Sequence, residues 1–220
     1  MSGVFLTFEG IEGSGKSTQI RRLSAHLHTC GVDVVLTREP GGTDIGRALR
    51  RVLLSTEGEP PHPSTELLLY AADRAQHLSE VIEPALERGA VVLCDRYLDA
   101  TLAYQGYGRE LGVDRVLELH ATPPLDRRPD RTLLIDLDPE DGIARARARN
   151  RDLGLEAEEG RFEAEQIRFH QKVRAGYLEL AGAEPGRFRL ISGDGTEEEV
   201  EARVLSAVTD LWPALREMST

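Results

Sequence analysis

Lysine is nearly absent from this sequence: Lys16 and Lys172 stand alone among 27 basic residues, the other 25 being arginine. Acidic residues number 38, giving a formal charge of −11. A mean field of that sign repels DNA, RNA and anionic lipid, which argues against a polynucleotide partner or a membrane surface. It does not argue against small nucleotides, because arginines gathered at one place override the mean. Cysteine is equally scarce. Cys30 and Cys94 make no disulfide framework and have no metal-ligand spacing, so a reducing, cytoplasmic setting is expected. No apolar run approaches the ~18 residues that a membrane span requires, and the N-terminus enters an apolar β-type run with no export pattern. Asparagine occurs once, at Asn150, followed by Arg151. The Asn-Lys-x-Asp segment of a guanine-nucleotide switch is therefore missing. Six histidines, His26, His28, His62, His77, His120 and His170, show no metal spacing and are read as surface or packing residues.

Glycine, by contrast, is concentrated where it carries chemistry. Gly10-Ile11-Glu12-Gly13-Ser14-Gly15-Lys16-Ser17 fits G-x-x-x-x-G-K-[ST] at every fixed position, directly after the apolar run Val4-Phe5-Leu6-Thr7-Phe8. Glycines let successive backbone N–H groups turn inward around phosphate oxygens. Lys16 adds a mobile positive charge, the Ser17 hydroxyl suits Mg²⁺, and Thr18 continues into a helix whose positive end favours the anion. The segment predicts nucleoside triphosphate binding.

Short β-rich runs at 3–9, 32–37, 90–94, 131–137 and 187–192 alternate with helix-period stretches. This order predicts an α/β fold in one domain, a parallel sheet with helices on both faces. One helical pattern carries Ile45, Leu49, Val52 and Leu53. A longer one runs from Leu67 and Leu68 through Ala71, Ala75, Leu78, Ile82 and Leu86, with Pro84 expected to kink or break it. Gly31 and Gly89 sit where helix C-caps belong. Residues 55–63, 121–130 and 150–160 lack clear periodicity: the first is expected as a surface loop, the second as the connection to the fourth strand, and the third, polar and between two helices, as a segment able to move.

Charged residues cluster at the expected C-terminal edge of the sheet, where open α/β sheets hold their ligands. Arg38-Glu39-Pro40-Gly41-Gly42-Thr43 follows the second strand; its alternative is an ordinary turn with Thr43 as N-cap. Asp95-Arg96 ends the third, a usual place for a group that organises Mg²⁺, with surface pairing as the alternative. Glu9, Glu12 and Asp95 stand as candidates for indirect metal contacts. Arg74 lies within the long apolar-periodic helix, near Asp73 and Glu66. Arg145 and Arg149 share one helical face while Arg147 and Arg151 share the opposite region, so all four cannot touch one ligand if the helix persists.

Together these segments resemble thymidylate kinase of the bacterial type over nearly the whole chain. The resemblance is carried by Phe8-Glu9-Gly10 through Gln19, by residues 37–43, by Tyr70-Ala71-Ala72-Asp73-Arg74-Ala75-Gln76-His77, by Asp95-Arg96-Tyr97 and by Ala103-Tyr104-Gln105-Gly106. It implies a P-loop kinase fold with a five-stranded parallel sheet, a homodimer, and Mg²⁺-dependent phosphoryl transfer from ATP to dTMP. Arg38, Arg74 and Arg96 then correspond to positions that hold or approach the acceptor phosphate. Tyr70 falls where a Phe usually stacks on thymine, and Thr101 and Gln105 fall where side chains bond the base, with Tyr104 beside them. Glu12 takes the acidic position near the sugar 3′-hydroxyl and the metal. Gly13 replaces the loop arginine of some relatives, so the catalytic arginine is expected from a lid at about 147–161. Arg149 is the matching position and Arg161 a second candidate, in a lid longer than usual. Ala100 stands where Ser is common. Another nucleoside monophosphate kinase, or a non-catalytic ATP-binding module, is the rival reading.

Overall fold

The computed structural model describes residues 3–212. Five strands form one parallel sheet: β1 (Val4–Glu9), β2 (Val34–Arg38), β3 (Val91–Asp95), β4 (Arg131–Asp136) and β5 (Phe188–Ser192), in the order β2-β3-β1-β4-β5. The period-2 pattern explains why both faces are covered. Phe5, Val92, Cys94 and Leu134 enter one core; Leu6, Phe8, Leu93, Leu133 and Ile135 enter the other. Helices α1 (Lys16–Thr29) and α10 (Glu197–Ser206) cover the second face. The first is covered by α3 (Pro63–His77), α6 (Val113–Leu119) and α9 (Ile167–Ala183). β1 is the centre from which the chain winds first one way and then the other. Its C-terminal end is thus a topological switch point, and the crevice opens there. Register puts Phe8 opposite Asp95 and Asp95 opposite Arg38, one row along that edge.

The helices depart from the sequence reading in instructive ways. α2 (Asp44–Leu54) is a helix capped by Thr43, whose Oγ1 accepts from the Gly46 N–H at 2.9 Å. Yet Ile45 and Val52 face outward, 53% and 54% exposed, while Leu53 is buried. The run after α3 does not break at Pro84. A π-helical turn, Leu78–Ile82, lies immediately upstream and joins α3 to α4 (Glu83–Glu87), so the helical path passes the residue that lacks an N–H. A second π-helical stretch, Leu102–Gly108, follows α5 (Leu98–Thr101). α7 (Pro139–Leu153) runs into the weakly patterned 150–160 stretch, ends on left-handed Gly154, and is followed by a short α8 (Glu156–Glu159). Among the described residues no helix is long and apolar enough to cross a membrane.

A polar column crosses the sheet on the α9 side. Arg187 grips Asp99 with two bonds of 2.6 and 2.8 Å and reaches the Thr132 hydroxyl at 2.7 Å; Thr132 in turn meets Thr7 at 2.9 Å. Asp99 is buried, so removing its partner strands a carboxylate in the interior, at a cost of about 3–5 kcal/mol. Arg187→Met is expected to lower the thermal unfolding midpoint by many degrees, and adding Asp99→Leu to recover part of the loss. Calorimetry of the parent, the single and the double variant checks both.

Candidate active site

Glycine geometry builds the floor. Gly13 has φ +68°, and a Cβ there would lie 2.0 Å from the carbonyl oxygen of Gly142 in the first turns of α7. A side chain at position 13 would require the first turns of α7 to shift. Lys16 Nζ donates to the carbonyls of Gly10 (3.0 Å) and Ile11 (2.7 Å) and to Ser14 Oγ (3.3 Å). Residues 12–18 line a cavity of about 630 Å³. Gly10 and Ile11 do not line it, and the Ile11 side chain is part of the core. At the cavity's edge Ser17 Oγ donates to Asp95 Oδ2 at 2.7 Å, which joins the loop hydroxyl to the strand-tip carboxylate.

Arginines from four elements converge on the same cavity. Arg38, Arg74, Arg96, Arg145 and Arg149 all line it, as do Tyr70, Thr101, Tyr104 and Gln105. Arg96 holds φ +68°, uncommon for a residue with a side chain, and this turns it back over the loop. Its guanidinium stacks on Tyr104, 4.7 Å from the ring centre, and donates to Glu12 Oε1 at 3.0 Å. Tyr104 donates to the same oxygen at 2.6 Å. Burial would raise the Glu12 carboxyl, but Arg96, His170 and Lys16 together hold it well below the usual range.

Arg74 is 1% exposed and pairs with neither Asp73 nor Glu66. Its Nε donates to Glu39 Oε2 at 2.9 Å, one NH meets His120 Nε2 at 2.8 Å and the other donates to Thr101 Oγ1 at 3.0 Å. It belongs spatially with the expected base-reading residues. Gln105 Nε2 donates to Glu66 Oε1 at 2.7 Å. A carboxylate only accepts, which fixes the amide so that its carbonyl oxygen is the free end.

The lid candidates divide. Arg145 and Arg149, on the face that the helical period assigned to them, reach the cavity. Arg149 is half exposed and tethered only to Asn150 Oδ1, at 2.9 and 3.2 Å, with Glu163 at 3.6 Å. Arg147 turns away and donates twice to the Glu163 carbonyl, at 3.0 and 2.6 Å. Arg161 is corrected more sharply. It is buried, bonded to the Leu53 carbonyl and paired with Glu66 at 2.7 Å, and it does not line the cavity. Its charge is spent on a buried carboxylate. Glu9 does not line the cavity either: its oxygens accept from the Tyr97 N–H and the Tyr177 hydroxyl, both at 2.7 Å. Burial, reinforced by Asp99, raises its carboxyl.

Three histidines read as bland prove to be buried beside the site: His77 against Glu39 (2.9 Å), His120 against Arg74, and His170 against Glu12 (3.3 Å). Arg21 and Arg50 also line the cavity, unforeseen; Arg50 ties Glu159 of α8 to α2 at 3.0 Å. One signal was present in the sequence. Glu66, Tyr70, Asp73, Arg74 and His77 recur at helical spacing within an otherwise apolar pattern, and a polar stripe of that kind marks a face turned to something polar.

Lys16 is shifted down to about 8, by burial first and by Arg96 next. Only the protonated amine attracts phosphate, so ATP affinity should be flat below that pH and fall above it. The Kd for ATP is expected to weaken about tenfold between pH 7 and pH 9, following one proton. Calorimetric titrations at three pH values check it.

Comparison with known proteins agrees with this geometry. The sequence model of the family described as thymidylate kinase matches residues 8–204. A thymidylate kinase of Syntrophotalea carbinolica is 52% identical over 200 residues, covering 91% of this chain and 92% of its own. One from Solidesulfovibrio magneticus is 51% identical over 208 residues, covering 94% and 100%. The crystal structure of thymidylate kinase from Ehrlichia chaffeensis superposes with a TM-score of 0.75 at 31% identity, over 94% of this chain and all of that one. A P-loop followed by converging arginines, on a sheet of this order and with these relatives, leaves one conclusion: the chain belongs to the thymidylate kinase family.

Proposed function

We propose that the chain transfers the γ-phosphoryl group of ATP to dTMP, giving dTDP and ADP. The observation that carries this reading is one cavity lined together by the phosphate loop, by Tyr70, Thr101 and Gln105, and by arginines. ATP phosphates lie on the loop N–H groups and Lys16. The side of the cavity formed by Arg21, Gly193, Gly195, Thr196 and Val200 takes the adenine.

The base end reads thymine by polarity. Gln105 presents a carbonyl oxygen, an acceptor for N3–H. Thr101 Oγ1 already accepts from Arg74, so its hydrogen is left to donate to O4. Cytosine presents the reverse pattern and meets acceptor against acceptor, whereas dUMP lacks only a methyl group, worth about 1–3 kcal/mol. Tyr70 supplies the aromatic face.

The acceptor phosphate is itself the nucleophile and needs no general base. The obstacle is charge: two like unit charges 4 Å apart repel by about 4 kcal/mol at an effective dielectric of 20. Arg38 and Arg96 hold the acceptor phosphate, Lys16 the donor, and Arg149 swings from its weak tether onto the group in flight, with Arg145 beside it. Ser17 and Asp95 offer oxygen donors 2.7 Å apart at the cavity edge, a set that fits Mg²⁺. Ser17 and Asp95 would hold the ion there, and it would supply positive charge to offset that of the phosphates. Residues 147–161 act as the lid. Outward-facing Ile45 and Val52 on α2, with Leu68 exposed on α3, support a homodimer. Two free cysteines, Cys30 exposed and Cys94 buried, support a cytoplasmic setting.

A coupled ADP-release assay over a panel of monophosphates tests the reaction: the order expected is dTMP above dUMP, with dCMP and purine monophosphates near background. Activity highest with dCMP, GMP or AMP overturns it. Within the lid, Arg149→Ala is expected to reduce kcat by roughly 10³-fold or more at little change in dTMP affinity. Arg147→Ala, whose guanidinium is bound to a backbone carbonyl, should stay within about threefold of the parent. Steady-state kinetics of the pair decides the assignment.

A further inference from the structure

His170 lies on α9, is fully buried and does not line the cavity. Its two ring nitrogens face two different elements. Nε2 is 3.0 Å from the Phe162 carbonyl oxygen, in the segment between α8 and α9. Nδ1 is 3.3 Å from Glu12 Oε2 in the phosphate loop. A carbonyl can only accept, so Nε2 carries a hydrogen. If that were the ring's only N–H hydrogen, the Nδ1 lone pair would face a carboxylate oxygen in a water-poor site. A second hydrogen, on Nδ1, turns the contact into a charge-assisted attraction. Among the described residues neither Nδ1 nor Oε2 has a well-aligned hydrogen-bond partner, so each is the nearest answer to the other's need.

We propose that His170 is a positioning residue for Glu12, holding the Oε2 side of that carboxylate so that Arg96 stays free to take the acceptor phosphate. Arginine and carboxylate pair by preference through two parallel bonds. Here Arg96 reaches only Oε1, at 3.0 Å, and shares that oxygen with Tyr104. His170 on the far side keeps Glu12 from rotating into the two-bond fork. The other terminal nitrogen of Arg96 keeps only a 3.3 Å bond to the Tyr177 hydroxyl, one that an arriving phosphate can displace. Because Nε2 rests on Phe162, the same imidazole ties the lid's root to the phosphate loop. The inference rests on the reading that Arg96 holds the acceptor phosphate.

Two amides separate the nitrogens. Asparagine places its NH₂ near the position of Nδ1, and glutamine places its NH₂ near Nε2. His170→Gln is expected to raise KM for dTMP about tenfold or more, the weight of a bond to a charged group, with KM for ATP close to the parent. His170→Asn is expected to recover most of that loss. In a Glu12→Gln background, adding His170→Gln should cost nothing further. If holding the Phe162 carbonyl were the whole role, glutamine would rescue and asparagine would not. That reversed order, equal KM values in both variants, or full additivity with Glu12→Gln overturns the proposal. Thermal melts confirm that each variant is folded, and if His170→Asn is not, the Glu12 cycle decides alone. Arg96→Ala in the parent tests the underlying reading separately: an unchanged KM for dTMP would sink that reading without involving His170.

Discussion

Cations that wait in a buried cleft for an anion must be neutralised in the meantime, and the interior of this protein is organised around that requirement. In the cleft Arg96 has Glu12 and Arg74 has Glu39, and outside it Arg161 and Arg109 share Glu66. An unpaired guanidinium at those depths would cost several kcal/mol. The pairing also fixes direction. Arg74 is bonded through three nitrogens to three partners, so it has a single pose, and it passes that fixity to Thr101. Glu66 does the same for Gln105. Charges and dipoles set before the ligand arrives need no reorganisation when it reacts, which is where most electrostatic catalysis originates.

The same constraint explains which parts of the molecule were legible in the sequence. The phosphate loop was readable because its chemistry is local: glycine spacing, one lysine and one hydroxyl suffice. The strands were readable because burial on both faces writes a continuous apolar run, and 3–9, 90–94 and 187–192 lie within a residue of the observed strands. The facing of Arg145 and Arg149 followed from 100° per residue once the helix held to Leu153. The pairs were not readable. Glu39 is 35 residues from Arg74 and Glu66 is 95 from Arg161, and no local pattern reports a contact across such spans. For that reason Arg161, which in sequence looks like a free cation opening a helix, is in fact a buried structural charge. His120 and His170 lack metal spacing because their partners are an arginine, a carbonyl and a carboxylate. Outward-facing Ile45 and Val52 show the opposite failure, since helical period reveals an apolar face but not what covers it.

Overall charge and local charge pull in different directions here. A surface of −11 repels free nucleotides at long range, and beyond roughly 8 Å that repulsion is largely screened at physiological ionic strength. What a nucleotide meets at short range is a cavity lined by Lys16 and seven arginines. Arginine suits this task better than lysine, because its planar fork matches phosphate in two bonds and stays charged under burial, whereas the one lysine in the cleft is shifted down toward neutrality.

Depth then separates the arginines by what they can do. Those with a buried carboxylate cannot move far without stranding it, so on the proposed reading they position. Arg149 has no such tie. It is half exposed, and its nearest acid, Glu163, sits 3.6 Å away. The segment that carries it is anchored on the α2 side: the Ala157 carbonyl accepts from Thr56, Arg50 pairs with Glu159, and the Arg161 N–H donates to Leu54. On the proposed reading, with both the helix and its anchor in place, delivery of Arg149 to a phosphate would not require residues 147–161 to refold. It requires a guanidinium to leave an asparagine oxygen for a more highly charged one, and the two bonds to Asn150 are weaker than those a phosphate offers. On that same reading, the gain in charge-assisted bonding would be the driving force for closure.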